Sequence, residues 1–165
     1  MNIYVIRHTE ATPLSGTIGR DADRVLSENG DAHARLVGVA LALLDPSISV
    51  ILTSPLMRAQ QTGALLAKAF TPERPVRPSE NLLPGFRYAS LLEELTSYGT
   101  GGSVAAVGHL PDLTNFISWL IADGSHTSVA MPPGSIAHIT IDAGSQQEGT
   151  LRGLLTPEVI ATLHR

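Results

Sequence analysis

Three short apolar runs set the limits on what this chain can fold into. Ile3 to Ile6, Val50 to Leu52 and Val104 to Val107 are almost unbroken hydrophobic segments. Apolar runs without alternation belong to strands buried on both faces, as in parallel sheets covered by helices. Each run stops abruptly at side chains able to do chemistry: Arg7-His8-Thr9-Glu10, Thr53-Ser54-Pro55 and Gly108-His109. Helical patterns lie between and after them. Leu36, Ala40, Leu43 and Leu44 keep a helical period after a turn at Ser27 to Gly30. Ser54-Pro55 supplies a cap and a first-turn proline for a helix running through Phe70. Leu113, Phe116, Ile117, Leu120 and Ile121 follow the i, i+3, i+4, i+7, i+8 pattern in full, and Thr156-Pro157-Glu158 opens a short last helix. Ser135 to Ile141 alternates and predicts a further strand, while Pro72 to Pro78 and Thr100-Gly101-Gly102 predict loops. The expectation is an α/β fold: a three-layer α/β/α sandwich with a mostly parallel central sheet, one domain over residues 1–165.

Composition narrows the function. At 165 residues and 43% hydrophobic content the chain can build one proper core. Eleven basic residues against fifteen acidic ones leave a charge of −4, which argues against a nucleic-acid partner. Lys68, the only lysine, falls in a helical pattern, so Schiff-base chemistry is not expected. The absence of cysteine removes disulfides, thiolate metal sites and cysteine nucleophiles together. The first residues do not read as a signal peptide, and the apolar stretch from Val39 to Leu44 is far short of a membrane span. A cytoplasmic protein without a membrane partner is expected.

If the three runs are adjacent parallel strands, their carboxyl ends gather Arg7, His8, Arg58 and His109 in one pocket, where open α/β sheets bind ligands. Two guanidinium forks and two imidazoles suit a dianionic phosphate. Arginine matches phosphate oxygens bidentately and stays charged, while histidine serves as nucleophile or proton carrier near neutral pH.

Ile3-Tyr4-Val5-Ile6-Arg7-His8-Thr9-Glu10 resembles the Arg-His-Gly-Glu signature of the histidine phosphatase (phosphoglycerate mutase-like) superfamily. Thr53-Ser54-Pro55-Leu56-Met57-Arg58-Ala59-Gln60-Gln61-Thr62 is similar to its second motif, and Gly108-His109 to its third. Arg20 to Gly30, Gly108-His109-Leu110-Pro111-Asp112-Leu113 and Leu154-Leu155-Thr156-Pro157 are similar to segments of the short SixA-type phosphohistidine phosphatases. The resemblance implies a phosphoglycerate mutase-like fold and hydrolysis through a phosphorylated His8. Arg7 and Arg58 would clamp the phosphoryl oxygens, and His109 would complete the charge-neutralising shell. Such a shell stabilises phosphoryl transfer by position and charge, and neither a metal nor another cofactor is expected.

Two departures from the pattern stand out. Thr9 replaces the usual glycine and is expected to narrow the pocket beside the nucleophile, and Leu110 stands where many SixA-type proteins carry glutamate. Thr9, Glu10, Arg24 and Glu80 are the candidate substrate-binding residues. Glu10 is expected to orient the pocket, and Arg24 to hold a substrate or partner at its mouth. Glu80 is the nearest candidate for a general acid, a role typically worth about 10²–10⁴-fold in rate. SixA-type proteins resemble one another in lacking an obvious acid, and their substrate offers a reason. The second nitrogen of a phosphohistidine imidazole can carry a proton, so the ring departs as neutral imidazole, whereas an alkoxide leaves less easily.

The remaining histidines, His33, His126, His138 and His164, are expected to be solvated or structural, because none has metal-site spacing. Asp21-Ala22-Asp23-Arg24-Val25 matches on paper the nucleophile signature of magnesium-dependent dehalogenase-type phosphatases. No apolar strand delivers Asp21, so the segment reads as a charged loop near the pocket mouth. The loosely spaced Gly99, Gly101 and Gly102 read as a flexible turn rather than a phosphate loop. No residues are spare for a large inserted lid, which favours a bulky substrate: a histidine phosphotransfer domain or phosphocarrier protein in signal transduction. The alternatives are a small-molecule phosphomonoesterase of the same superfamily and a catalytically weak phosphoprotein-binding module. Inorganic phosphate or other oxyanions would occupy the pocket in each case.

Overall fold

Six strands are joined by backbone hydrogen bonds into one sheet in a computed structural model, which describes residues 1–14, 20–98, 101–122, 127–142 and 149–162. In chain order the elements are β1 (Asn2–Arg7), α1 (Glu28–Leu44), β2 (Ile48–Thr53), α2 (Met57–Ala67), β3 (Val76–Pro78) and α3 (Tyr88–Ser97). They continue with β4 (Ser103–Gly108), α4 (Asp112–Ile121), β5 (Ile136–Ile141), β6 (Gly149–Leu155) and α5 (Pro157–Thr162). The spatial order is β3-β2-β4-β1-β5-β6. The first four strands run parallel, β5 returns antiparallel to β1, and β6 pairs antiparallel with β5 at the far edge. The mostly parallel α/β expectation holds.

Both sheet faces are apolar because both are covered. On one, Ile3, Val5, Leu52, Val104 and Ala106 pack with Leu91 and Leu95 of α3 and Leu113, Phe116 and Leu120 of α4. On the other, Tyr4, Ile6, Ile51, Ala105 and Val107 pack with Val37 and Leu41 of α1, Leu66 of α2 and Ile160 of α5. Each fully buried Leu or Ile in these layers contributes about 1.5–3 kcal/mol of transfer free energy. The central strands therefore read as continuous hydrophobic runs rather than alternating ones.

Three sequence expectations change. Helix α1 forms behind its Ser27 cap, whose hydroxyl accepts from the Gly30 amide at 3.0 Å, but it turns a different face inward. Ala34, Val37, Gly38, Ala40 and Leu41 are buried, while Leu43 is 76% exposed and Leu36 and Leu44 lie at the surface. Small residues dominate that face because α1 lies close to α2: a methyl group on Gly38 would meet the Leu66 backbone at 3.0 Å. Helix α2 begins at Met57, since Ser54 turns its hydroxyl back to the Leu56 amide at 3.3 Å. Part of the expected Pro72 to Pro78 loop is β3, an edge strand where a proline's missing donor costs nothing. No helix among the described residues is long and apolar enough to cross a membrane.

Candidate active site

The carboxyl ends of the parallel strands are stitched together by main-chain bonds. The His8 amide donates to Gly108 O at 3.1 Å, Ser54 N to Val107 O at 2.9 Å, and Ser79 N to Thr53 O at 2.8 Å. Arg7 pairs in register with Gly108, so the next residues, His8 and His109, emerge side by side. Their ring centroids are 5.0 Å apart. Arg58 enters from the first turn of α2, with its side chain only 6% exposed, and points Nε at His8 Nε2 across 3.3 Å. Arg7 Nη1 donates to Met131 O at 2.9 Å, which fixes the guanidinium from the turn before β5. His8, Arg58 and His109 thus meet at the strand ends, with Arg7 near enough for its charge to act on both imidazoles.

The nucleophile candidate is set in one tautomer. His8 Nδ1 lies 2.7 Å from the Thr9 carbonyl. A carbonyl only accepts, so Nδ1 carries the hydrogen and Nε2 keeps its lone pair toward Arg58. Burial lowers the His8 pKa to about 4; the Thr9 carbonyl opposes this, and Arg58, Arg7 and Arg24 reinforce it. His109 is lowered to about 3, by burial first and then by His8 and Arg58. Both rings are neutral near pH 7. Arg7 Nε and both ring nitrogens of His109 are buried without a partner among the described residues. Unpaired buried polar atoms are costly, and an oxyanion in the pocket would accept from Arg7 Nε and from the one protonated nitrogen of the neutral His109 ring.

The other candidate residues divide differently. Thr9 is fully buried and does not narrow the pocket: its amide donates to Thr62 Oγ1 at 3.2 Å, the two hydroxyls are 3.3 Å apart, and its methyl faces Gly134. The Glu10 carboxylate accepts from Ser27 Oγ at 2.6 Å and Asn29 Nδ2 at 3.2 Å, contacts that hold its pKa below the usual range. It therefore braces the start of α1. There Gly30 lies so close that a Cβ would run into Glu10 O. Arg24 is bound to its own loop, donating to Thr12 O at 2.6 Å and to Asp21 Oδ1 at 3.1 Å. Glu80 is exposed on a 3-10 turn, Glu80–Leu82, beyond the end of β3.

Sequence reasoning missed the partner of Arg58. Asp21, in a 3-10 turn over Asp21–Asp23, accepts Arg58 Nη2 on its carboxylate at 2.8 Å and Nη1 on its main-chain oxygen at 2.7 Å. Its place between the first motif and Arg24 was visible, and the fold-back onto α2 was not. His138 stacks on Tyr4 at 4.6 Å and bonds Asn2, a structural role at the opposite end of β1. His126 and His164 lie outside the described residues.

A model of the histidine phosphatase superfamily (branch 1) matches residues 3–83. An uncharacterized protein of Picosynechococcus is 33% identical over 115 residues, 68% of each chain. The chain belongs to the histidine phosphatase superfamily. Within it, the chain is 29% identical over 156 residues to the phosphohistidine phosphatase SixA homolog of Haemophilus influenzae, covering 89% of this chain and 92% of that one. The structure of the protein histidine phosphatase SixA complexed with tungstate matches with a TM-score of 0.81 at 25% identity, over 95% of this chain and 97% of that one. A phosphoserine phosphatase from Entamoeba histolytica shares the fold: it matches with a TM-score of 0.71 at 16% identity, over 96% of this chain and 98% of that one. This histidine phosphatase superfamily member is accordingly a phosphatase.

Proposed function

We propose that the protein removes the phosphoryl group from a protein phosphohistidine through a phospho-His8 intermediate. The observation that carries this reading is the His8 tautomer: Nδ1 is tied to the Thr9 carbonyl, and the unprotonated Nε2 accepts from Arg58 Nε beside His109. In the first step His8 Nε2 bonds to phosphorus as the substrate's phosphorus–nitrogen bond breaks. The bonding pair goes to the departing nitrogen, and the ring leaves as neutral imidazole because its other nitrogen holds the proton. Water then attacks phospho-His8 and releases phosphate. Arg7 and Arg58 neutralise the equatorial oxygens, which is most of what this chemistry requires. Likeness to SixA proteins supports the substrate class. A protein substrate, such as a histidine phosphotransfer domain or phosphocarrier in cytoplasmic signalling, accords with the short connection between β3 and β4. Between β3 and β4 the described residues form only one 3-10 turn and the ten-residue helix α3.

The test compares phosphate release from a phosphohistidine peptide and from an aryl phosphate, for wild type and His8→Ala. Fast release from the peptide that falls by about a thousandfold or more in the variant is the expected result. A second reading, small-molecule phosphomonoester hydrolysis, is favoured by the shared fold with phosphoserine phosphatase and by Glu80 beyond β3. Equal rates on both substrates would select it.

A further inference from the structure

The outer edge of Arg58 is committed to one residue. Asp21 takes both terminal nitrogens of the guanidinium, through its carboxylate and its main-chain oxygen, and leaves Nε directed at His8 Nε2. The same carboxylate receives Arg24 Nη1 at 3.1 Å, and Arg24 is otherwise bonded to main-chain oxygens of its own loop. Next to this pair, Arg20 bonds Asp23 at 2.9 Å and 3.3 Å. Each arginine of the 20–24 segment therefore has a carboxylate partner. The Asp21 side chain is 52% exposed while that of Arg58 is 6% exposed, so Asp21 stands where the pocket opens to solvent. What passes that point is the part of the substrate that is not phosphoryl.

We propose that Asp21 is a specificity-determining residue: its carboxylate on the outer edge of Arg58 favours a leaving group with a protonated nitrogen and disfavours one with a carboxylate. The inference rests on the phosphohistidine reading and extends it from the phosphoryl group to what carries it. The charge balance gives the reason. Without Asp21, Arg24 would be an unneutralised cation at the mouth, ready to receive a second anion such as the carboxylate of phosphoserine or phosphoglycerate. With Asp21, the mouth offers a hydrogen-bond acceptor instead. An imidazole that leaves with its proton on the far nitrogen is a donor suited to it. The two arginines hold the Asp21 carboxyl below its usual range, so it stays an acceptor in weak acid.

The experiment measures kcat/KM on three substrates, a phosphohistidine peptide, an aryl phosphate whose ring carries no charge of its own, and 3-phosphoglycerate, for wild type, Asp21→Asn and Asp21→Glu. A single charge at a half-exposed site is expected to move the peptide and 3-phosphoglycerate each about fivefold against the aryl phosphate. In Asp21→Asn the peptide falls relative to the aryl phosphate and 3-phosphoglycerate rises relative to it, while Asp21→Glu keeps the wild-type order. An equal loss on all three substrates in Asp21→Asn overturns the proposal and leaves Asp21 as a support for Arg58 alone. A wild type active on the aryl phosphate but inert on the peptide overturns the phosphohistidine reading instead. The ratio of 3-phosphoglycerate to aryl phosphate then decides Asp21: an unchanged ratio in Asp21→Asn sinks it.

Discussion

Arg58 Nε lies 3.3 Å from His8 Nε2, the one His8 ring nitrogen that the Thr9 carbonyl leaves free. The pair brackets the place where a phosphorus atom would change partners. Arg58→Lys keeps a charge there but loses the planar fork and its double hold on Asp21. We expect kcat/KM to fall by about 10²-fold or more on every substrate, the size seen when one transition-state donor is lost. Steady-state kinetics check this, and a loss under fivefold would show that the point charge suffices.

Acid should unfold the protein through its two pocket histidines. Their folded pKa values, about 4 and about 3, lie below the unfolded value near 6.5. Between those limits the unfolded chain binds more protons, so stability is full above about pH 6.5 and declines as pH falls toward 4. The penalty reaches at most about 2 kcal/mol per histidine by pH 5. Denaturant melts at pH 7 and pH 5 measure it, and His109→Asn is expected to flatten the slope.

Thr62 ties the loop behind the nucleophile to α2. Its hydroxyl donates to Arg58 O at 2.7 Å and receives the Thr9 amide at 3.2 Å. Thr62→Val preserves shape and leaves the buried amide without its acceptor, a loss of about 1–3 kcal/mol. Thermal denaturation reads it. Thr9→Ser, which keeps the hydroxyl, is expected to lose less.

Glu80 gives a clean separation of leaving groups. Glu80→Gln is expected to leave hydrolysis of a phosphohistidine peptide within about threefold of wild type, because imidazole departs without an acid catalyst. A hundredfold loss on the peptide would make Glu80 its proton donor and remove the reason for preferring phosphorus–nitrogen bonds.

What the sequence revealed and what it hid follow from the range of the interactions. Arg7, His8 and His109 were legible because each directly follows an apolar run, and a run that apolar has few places to go except the middle of a covered sheet. Arg58 followed from its place at the start of the helix after β2, although that helix begins at Met57 rather than behind a Ser54 cap. The inward face of α1 was misread because Leu36, Leu43 and Leu44 are more hydrophobic than Ala34 and Gly38. Close approach to α2 selects for smallness there, which a pattern of hydrophobicity does not register. Thr9 looked like an obstruction in the pocket because nothing local indicates that Thr62, fifty-three residues on, draws it inward. The bond from Asp21 to Arg58 spans thirty-seven residues and depends on how one charged turn folds over a helix.

The acceptor that sets the His8 tautomer is a main-chain oxygen. In catalytic groups oriented by a carboxylate side chain, one base change can erase the orienting group. Here no codon encodes it. Any residue that keeps the backbone path at position 9 supplies the same carbonyl, so the side chain there is free to serve packing. Mutational scans of this protein should therefore find position 9 tolerant in activity and sensitive in stability, with the instruction for proton placement invisible to both.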